Sequence, residues 1–149
     1  MSDYETLRSE AGLITDVSGL IWVRGPDAIT FLDGLLSQNV AAMQPGTGAP
    51  SLLLAPNGKL RAHLWLLRSE DGAGLVCDSG RIDVVLADLS RFKIRVDVNI
   101  ALDDRPLGEV WGPKAAHALL RVPSLGHWRE TETGVVASVP FRHSDFPRY

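Results

Sequence analysis

The chain has 149 residues, a common size for one domain. Apolar residues make up 45% of it and charged residues 22%, so a buried core is expected and wholesale disorder is excluded. The formal net charge is −3 and no block of five like charges occurs, which argues against a general nucleic-acid-binding surface.

Cys77 is the only cysteine, which excludes an internal disulfide, a Cys-Cys redox pair and a cysteine metal cluster. Residues 1–10 are polar and acidic, unlike a signal peptide, and no apolar run approaches the ~20 residues of a membrane-spanning helix. The four histidines show no metal-ligand spacing, so no metal site is predicted. We therefore expect a cytoplasmic protein that makes no contact with membranes.

Three elements are predicted before a clear amphipathic helix. Residues 4–12 are typical of a short helix that ends at a glycine, and residues 13–17 and 20–23 are β-like. Pro26 and Asp27 then open a helix. Its apolar residues recur at the helical period and form one face: Ala28, Phe31, Leu32, Leu35 and Leu36.

A β-hairpin is predicted next. Residues 51–55 and 59–68 flank the pair Asn57-Gly58, which is the strongest short-range signal for a hairpin turn. Side chains alternate between the two faces of a strand. This alternation places on one face Arg61, His63, Trp65 and Leu67.

The remaining segments complete the predicted fold. A strand over residues 74–77, a helix over 82–89 and a strand over 92–100 give the order β-β-α-β-β-β-α-β. Such an order predicts two helices on one face of an antiparallel or mixed sheet, a ferredoxin-like split βαβ arrangement of the α+β class. The rest of the chain is predicted to form a small second α+β unit, which divides the chain into residues 1–101 and 102–149.

The order of these segments resembles the folate-binding family that joins the glycine cleavage T-protein, an aminomethyltransferase, to its non-catalytic YgfZ-type relatives. The residues that carry the resemblance are GLITDVS (12–18), VRGPDAITFL (23–32), QNV (38–40), MQPG (43–46), LLLAPNGKL (52–60), Asp78-Ser79 and RFKIRVDV (91–98). It extends over about residues 12–97 and is faint after residue 107. It therefore concerns the N-terminal part of the family, and it implies tetrahydrofolate as the cofactor.

The departures from the family imply a loss of transferase chemistry. Aminomethyltransferases carry a histidine where Gly19 stands, and an Asp-Asp pair in the central hairpin at places that we assign to Arg61 and Ala62. YgfZ-type proteins carry a Lys-Gly-Cys-Tyr segment that this sequence lacks. The resemblance therefore implies a non-catalytic protein that binds tetrahydrofolate and supports one-carbon metabolism or the maintenance of iron–sulfur proteins.

Two alternative functions stay open. The first is a structural or assembly subunit of a larger folate-dependent enzyme, as in sarcosine-oxidase-type complexes. In that case an exposed apolar face would be covered by a partner subunit or a second copy. The second is a residual aminomethyltransferase that uses another acid, such as Asp78.

Five residues are candidates for holding the folate or a related pterin: Asn57, Arg61, Trp65, Asp78 and Arg95. Asn57 and Arg61 lie at the tight turn, where a cation can bind the carboxylate of a glutamate tail, although a turn with solvated side chains explains them too. Trp65 can stack on a planar ring, but packing in the core is favoured.

The other two candidates also have competing interpretations. Asp78 lies close to the pterin by resemblance, whereas helix capping accounts for it without a ligand. Arg95 alternates with Arg91 and Lys93 along a predicted strand. These cations either attract an anion or prevent strands from pairing edge to edge.

Overall fold

The computed structural model describes residues 2–119 and 122–139. In this part of the chain the helices are α1 (Asp3–Ser9), α2 (Ala28–Leu35), α3 (Ile82–Phe92) and α4 (Ala115–Ala118). The strands are β1 (Gly12–Thr15), β2 (Ser18–Arg24), β3 (Gly48–Leu54), β4 (Leu60–Ser69), β5 (Gly72–Asp78), β6 (Asn99–Leu102), β7 (Gly108–Trp111), β8 (Trp128–Thr131) and β9 (Gly134–Ala137). None of the described helices has the length and apolar character needed to cross a bilayer.

A five-stranded sheet in the order β3-β4-β5-β2-β6 forms the centre of the molecule. All four neighbouring pairs in it are antiparallel. Helix α3 connects β5 to β6, and β2 lies between those two strands. Because β2 splits this βαβ unit, the predicted split βαβ arrangement is confirmed in its antiparallel form, with β3 added at one edge.

Both predicted helices pack on the same face of this sheet. The core between them and the sheet contains residues that are at most 8% exposed. They include Ile21, Val23, Phe31, Leu32, Leu53, Leu64, Leu66, Leu75, Cys77, Val85 and Leu89. Strands β2, β4 and β5 contribute alternate residues to this core, as expected for a sheet with one face against helices.

The opposite face of the sheet, called here the second face, is partly covered by the hairpin β8–β9. Trp128 of β8 is 8% exposed and packs against Leu20, Trp22, Trp65 and Leu67 of the sheet. The rings of Trp22 and Trp128 lie 5.5 Å apart between centroids, tilted by 49°. This aromatic cluster closes one end of the second face.

Strand β1 pairs with β7 outside the central sheet, in a separate two-stranded unit. Asp16 turns the chain from β1 into β2 with a positive φ of 61°. Segments that follow residue 102 thus pack against segments that precede it, through β7 and through Trp128. The division into residues 1–101 and 102–149 stays a prediction.

The predicted strand over residues 92–100 is wrong for most of its length. Helix α3 continues to Phe92 and the strand begins only at Asn99. Between them Arg95 takes a left-handed φ of 55°, and the amide of Asp97 donates to the Asp27 carboxylate over 2.7 Å. The alternating β-branched residues of this segment resemble a strand, but here the chain has to turn back to reach the edge beside β2.

Asp103 ties the end of β6 to the aromatic cluster. It accepts hydrogen bonds from Nε1 of Trp22 at 2.9 Å and from Nη2 and Nε of Arg105 at 2.5 and 2.8 Å. The hydrogen bonds from Arg105, aided by the one from Trp22, hold the pKa of Asp103 well below its usual value against the opposing effect of burial.

We predict that Asp103→Asn lowers the free energy of unfolding by about 1–2 kcal/mol at neutral pH, because it weakens charge-assisted hydrogen bonds. A lowered pKa in the folded state means that this stabilisation is present above the unfolded value of about 3.9 and is lost as the pH falls below it. Urea denaturation followed by tryptophan fluorescence at several pH values measures both effects.

Asp104→Asn is the matched control, since it removes a neighbouring exposed carboxylate. The difference in the free energy of unfolding between wild type and Asp103→Asn should disappear as the pH falls from about 4 towards 2. A gap that stays constant over this range would contradict the role of the ionised carboxylate.

Candidate functional site

A β-bulge lies in the hairpin β3–β4 close to its turn. Leu53 pairs with Ala62 and Leu54 pairs with Leu60, so Arg61 has no partner across the ladder. A bulge of this kind re-aims the extra side chain and reverses the alternation on one side of it. The expectation that Arg61 shares a face with His63 and Trp65 is therefore wrong.

Arg61 instead binds Asp88 on α3. Its Nε and Nη2 donate to the two carboxylate oxygens of Asp88 over 2.7 and 3.0 Å. This hydrogen bonding lowers the pKa of Asp88, whose side chain is 12% exposed, and raises the pKa of Arg61. Ala62 is 3% exposed in the core on the same side of the sheet. Neither of the places assigned to the family's Asp-Asp pair is directed towards the second face.

The part of the second face near the hairpin turn is left uncovered, and we call it the open end. It consists of Leu52, Leu54, Leu60, His63 and Asp78. Leu54 and Leu60 are 37% and 50% exposed, and His63 and Asp78 are also exposed. Leu54 pairs with Leu60 and Leu52 with His63 across the hairpin, which makes an apolar strip with an imidazole beside it.

Asp78 belongs to the open end because of the strand register. Trp65 pairs with Val76 in the antiparallel ladder of β4 and β5. Two residues before Trp65 and two residues after Val76, His63 and Asp78 therefore lie side by side on the same face. Asp78 makes no capping hydrogen bond with the turn that follows it. Instead Ser79 fixes that turn through bonds to the carbonyls of Val17 and Asp16. The capping interpretation of Asp78 is therefore wrong, and its carboxylate is exposed beside His63.

The remaining candidates take different places. Asn57 lies in the exposed turn next to the open end, where its Oδ1 accepts from the amide of Lys59 over 3.1 Å. Trp65 is 3% exposed in the aromatic cluster, and its buried Nε1 has no hydrogen-bond partner. Arg95 lies in the loop between α3 and β6. Asp78 thus belongs to the open end, Asn57 lies next to it and Trp65 lies beneath its inner border. Arg61 is bound to Asp88 on the helix side, and Arg95 lies in the loop before β6.

His63 is the residue of this site that the sequence analysis did not select. The sequence did indicate the position of His63, because the alternation of the strand placed it on the same face as Trp65. The bulge, which leaves His63 and not Arg61 on that face, had no signal in the sequence.

Gly19 contributes to the shape of the sheet on the helix side. A Cβ added there would collide with the side chain of Ile82, the first residue of α3. A larger residue at position 19 would therefore require Ile82 to move. The sequence resemblance assigns the family's histidine to this position.

Among the depressions on the described surface are two that none of the five candidate residues lines. The larger, of about 510 Å³, is lined by Arg24, Pro45, Gly46, Ser69, Glu70, Asp71, Trp128 and Glu130. The smaller, of about 390 Å³, lies between α2, the hairpin turn and Phe92. Leu54 of the open end is among the residues that line this smaller depression.

Comparison with known proteins decides the family. The model of the GCVT N-terminal domain family matches residues 1–142. The chain belongs to this family. The predicted resemblance to the N-terminal part of the T-protein is thereby confirmed.

Individual relatives agree with this assignment. An aminomethyltransferase of Corynebacterium aurimucosum is 30% identical over 146 residues, which are 95% of this chain and 38% of the relative. An aminomethyltransferase of Bacillus subtilis is 30% identical over 147 residues, with 96% and 38% covered. The chain thus spans less than half the length of these relatives.

A solved structure supports the fold. The glycine cleavage system aminomethyltransferase T from Bartonella henselae superposes with a TM-score of 0.84 at 23% identity. The match covers 92% of this chain and 40% of that protein.

We predict that Arg61 and Asp88 stabilise the fold as a pair. Arg61→Ala leaves a mostly buried carboxylate without its partner, so it should lower the melting temperature almost as much as Arg61→Ala/Asp88→Ala together. Thermal unfolding of the single and double variants measures this coupling. Because the pKa of Asp88 is lowered in the folded state, the effect of Arg61→Ala should shrink as the pH falls below about 4.

Lys59→Ala serves as the control for this cycle, since it removes an exposed cation from the same hairpin. Strict additivity of the two single substitutions would show that the ion pair contributes nothing.

Proposed function

We propose that this chain is a non-catalytic member of its family that binds tetrahydrofolate at the open end, in the cytoplasm. The observation that carries the proposal is the chemistry of the hairpin. Residues 55–68 contain neither Asp nor Glu, and the polar side chain that this hairpin presents at the open end is His63. The strand that the resemblance associates with a working carboxylate therefore supplies none.

Further departures support the same conclusion. Arg61 is bound to Asp88, and Ala62 is buried against the helices. The place of the family's histidine is occupied by Gly19, and Ile82 fills the space beside it. These features lie on two separate strands, β4 and β2. Together they favour a surface that no longer takes part in aminomethyl transfer.

The open end has the mixed character that a pterin requires. Leu52, Leu54 and Leu60 form an apolar strip on which a flat ring can lie. The Asp78 carboxylate can accept hydrogen bonds from ring N–H groups, and His63 can contact the polar edge. With Arg61 held by Asp88, Lys59 is the cation at the turn that can meet a glutamate tail.

The resemblance implies two cellular roles, one-carbon metabolism and the maintenance of iron–sulfur proteins. The structure favours the first. Cys77 is 1% exposed inside the core, and it is the only thiol of the chain. A protein that handles iron–sulfur clusters through its own thiolates needs an accessible cysteine. The proposed role is therefore to hold or deliver a reduced folate.

The proposal predicts saturable binding of tetrahydrofolate, measured by calorimetry under anaerobic, reducing conditions. Asp78→Asn and His63→Ala should each weaken binding about tenfold, which corresponds to the loss of one hydrogen bond. Asp83→Asn, an exposed carboxylate on α3, is the matched control and should bind as the wild type does.

If tetrahydrofolate produces neither a heat of binding nor a thermal shift, the binding proposal is overturned. A residual aminomethyltransferase would instead show turnover with an aminomethyl donor, and Asp78→Asn would abolish that turnover.

A second candidate function, an assembly subunit, is favoured by the apolar surface of the open end. Leu54 and Leu60 lie side by side with over a third of each exposed. In such an assembly a partner subunit or a second copy would cover this surface.

If the chain assembles with itself through the open end, the purified protein should form a dimer as its concentration rises. Leu60→Lys should return it to a monomer, because a buried ammonium in the interface is costly. Sedimentation velocity measures the change. Tyr4→Lys, which alters an exposed apolar residue on α1, is the control, and a strictly monomeric wild type would rule out self-assembly.

A further inference from the structure

The larger depression lies at the other end of the central sheet from the open end. Arg24 ends β2 and pairs with Gly72 at the start of β5, whereas Asp78 ends β5. The loop around Gly46 forms one wall. Two hydrogen bonds hold this loop in place: the Gly46 amide donates to the Arg68 carbonyl, and the Trp128 amide donates to the Gly46 carbonyl. A ligand bound here would not touch the open end.

Arg24 presents a positioned guanidinium to this depression. Its central carbon lies 4.1 Å above the ring of Trp22, which Asp103 holds through a hydrogen bond. Nε of Arg24 is buried without a hydrogen-bond partner, because the nearest Asp71 oxygen is 3.9 Å away. Within the described residues its terminal amino groups make no hydrogen bond either. The terminal N–H groups of the guanidinium, which lie in one plane, are thus available for a carboxylate.

Three carboxylates line the same depression. They belong to Asp71, Glu70 and Glu130. Asp71 is positioned by the Ser69 hydroxyl, which donates to its Oδ1 over 3.1 Å, and its backbone carbonyl accepts from the amide of Gly25. With one cation and three anions the lining is net negative, so it attracts an ammonium group as well.

We infer that this depression binds a small zwitterion of the α-amino acid class. Arg24 takes the carboxylate, and Asp71, with Glu70 and Glu130 at the rim, takes the ammonium. A simple anion is repelled by the three carboxylates, and a simple cation leaves the Arg24 donors unsatisfied. The 3.9 Å gap between Arg24 and Asp71 is too long for a hydrogen bond between them, so both groups keep their capacity for such a ligand.

The ligand chemistry also fits the remaining walls. Trp128 and Pro45 offer an apolar surface to a short aliphatic side chain. The volume of about 510 Å³ lies within the range of small-molecule sites. The inference is independent of folate binding, which uses other residues.

The experiment compares three probes on the full chain: L-alanine, propionate and ethylamine. The last two each lack one charged group of the first. Intrinsic tryptophan fluorescence and amide chemical shifts report binding, because Trp22 and Trp128 adjoin the site. L-Alanine should give a saturable response, with propionate and ethylamine at least about tenfold weaker.

Arg24→Gln and Asp71→Asn should each weaken L-alanine binding about tenfold or more, whereas Arg81→Gln and Asp83→Asn, at the start of α3, should leave it unchanged. Asp71 is 61% exposed, so Asp71→Asn tests the site even if Arg24→Gln unfolds the protein. An absence of saturation, equal binding of propionate, or unchanged binding to Asp71→Asn would each overturn the inference.

Discussion

Strand β2 is buried on both of its faces, and the rest of the structure is arranged around that constraint. Ile21 and Val23 are fully buried against the helices, while Leu20 and Trp22 lie beneath the hairpin β8–β9. A strand without a solvated face cannot lie at a sheet edge without leaving buried amides unpaired, so it needs neighbours on both sides. Strands β5 and β6 supply them, and the helices and the β8–β9 hairpin then cover the two faces.

Local signals predicted the local parts of this fold. The helical period of α2 and the Asn57-Gly58 turn identified their elements because each depends on residues close in sequence. The end of α3 was missed because β-branched residues after Phe92 alternate as they would in a strand. The pairing of β1 with β7 was not foreseen, since it depends on contacts between residues about a hundred positions apart.

The candidate site shows the same limit more sharply. Asp78, which belongs to the open end, and Asn57, which lies next to it, were both predicted. Arg61 was predicted as a cation beside the hairpin turn, but the β-bulge directs it to the helix side of the sheet. Its partner there, Asp88, lies 27 positions further along the chain. Arg24 was not predicted as a site residue. Its capacity to donate hydrogen bonds to a ligand depends on the Trp22 ring beneath it and on its distance from Asp71. Chemistry that arises from such juxtaposition has no motif in the sequence.

The order of strands in the central sheet also bears on how the molecule folds. Strands β3, β4 and β5 form a meander with short connections, so its ladders close small loops. Strand β2 joins that meander across residues 25–71, and β6 pairs with β2 over a larger separation still. Because long loops close at a greater entropic cost, this topology implies that the meander forms early and β6 docks last. The amides of the short edge strand β6 should then exchange with solvent through local opening before those of β4, which native-state hydrogen exchange would resolve.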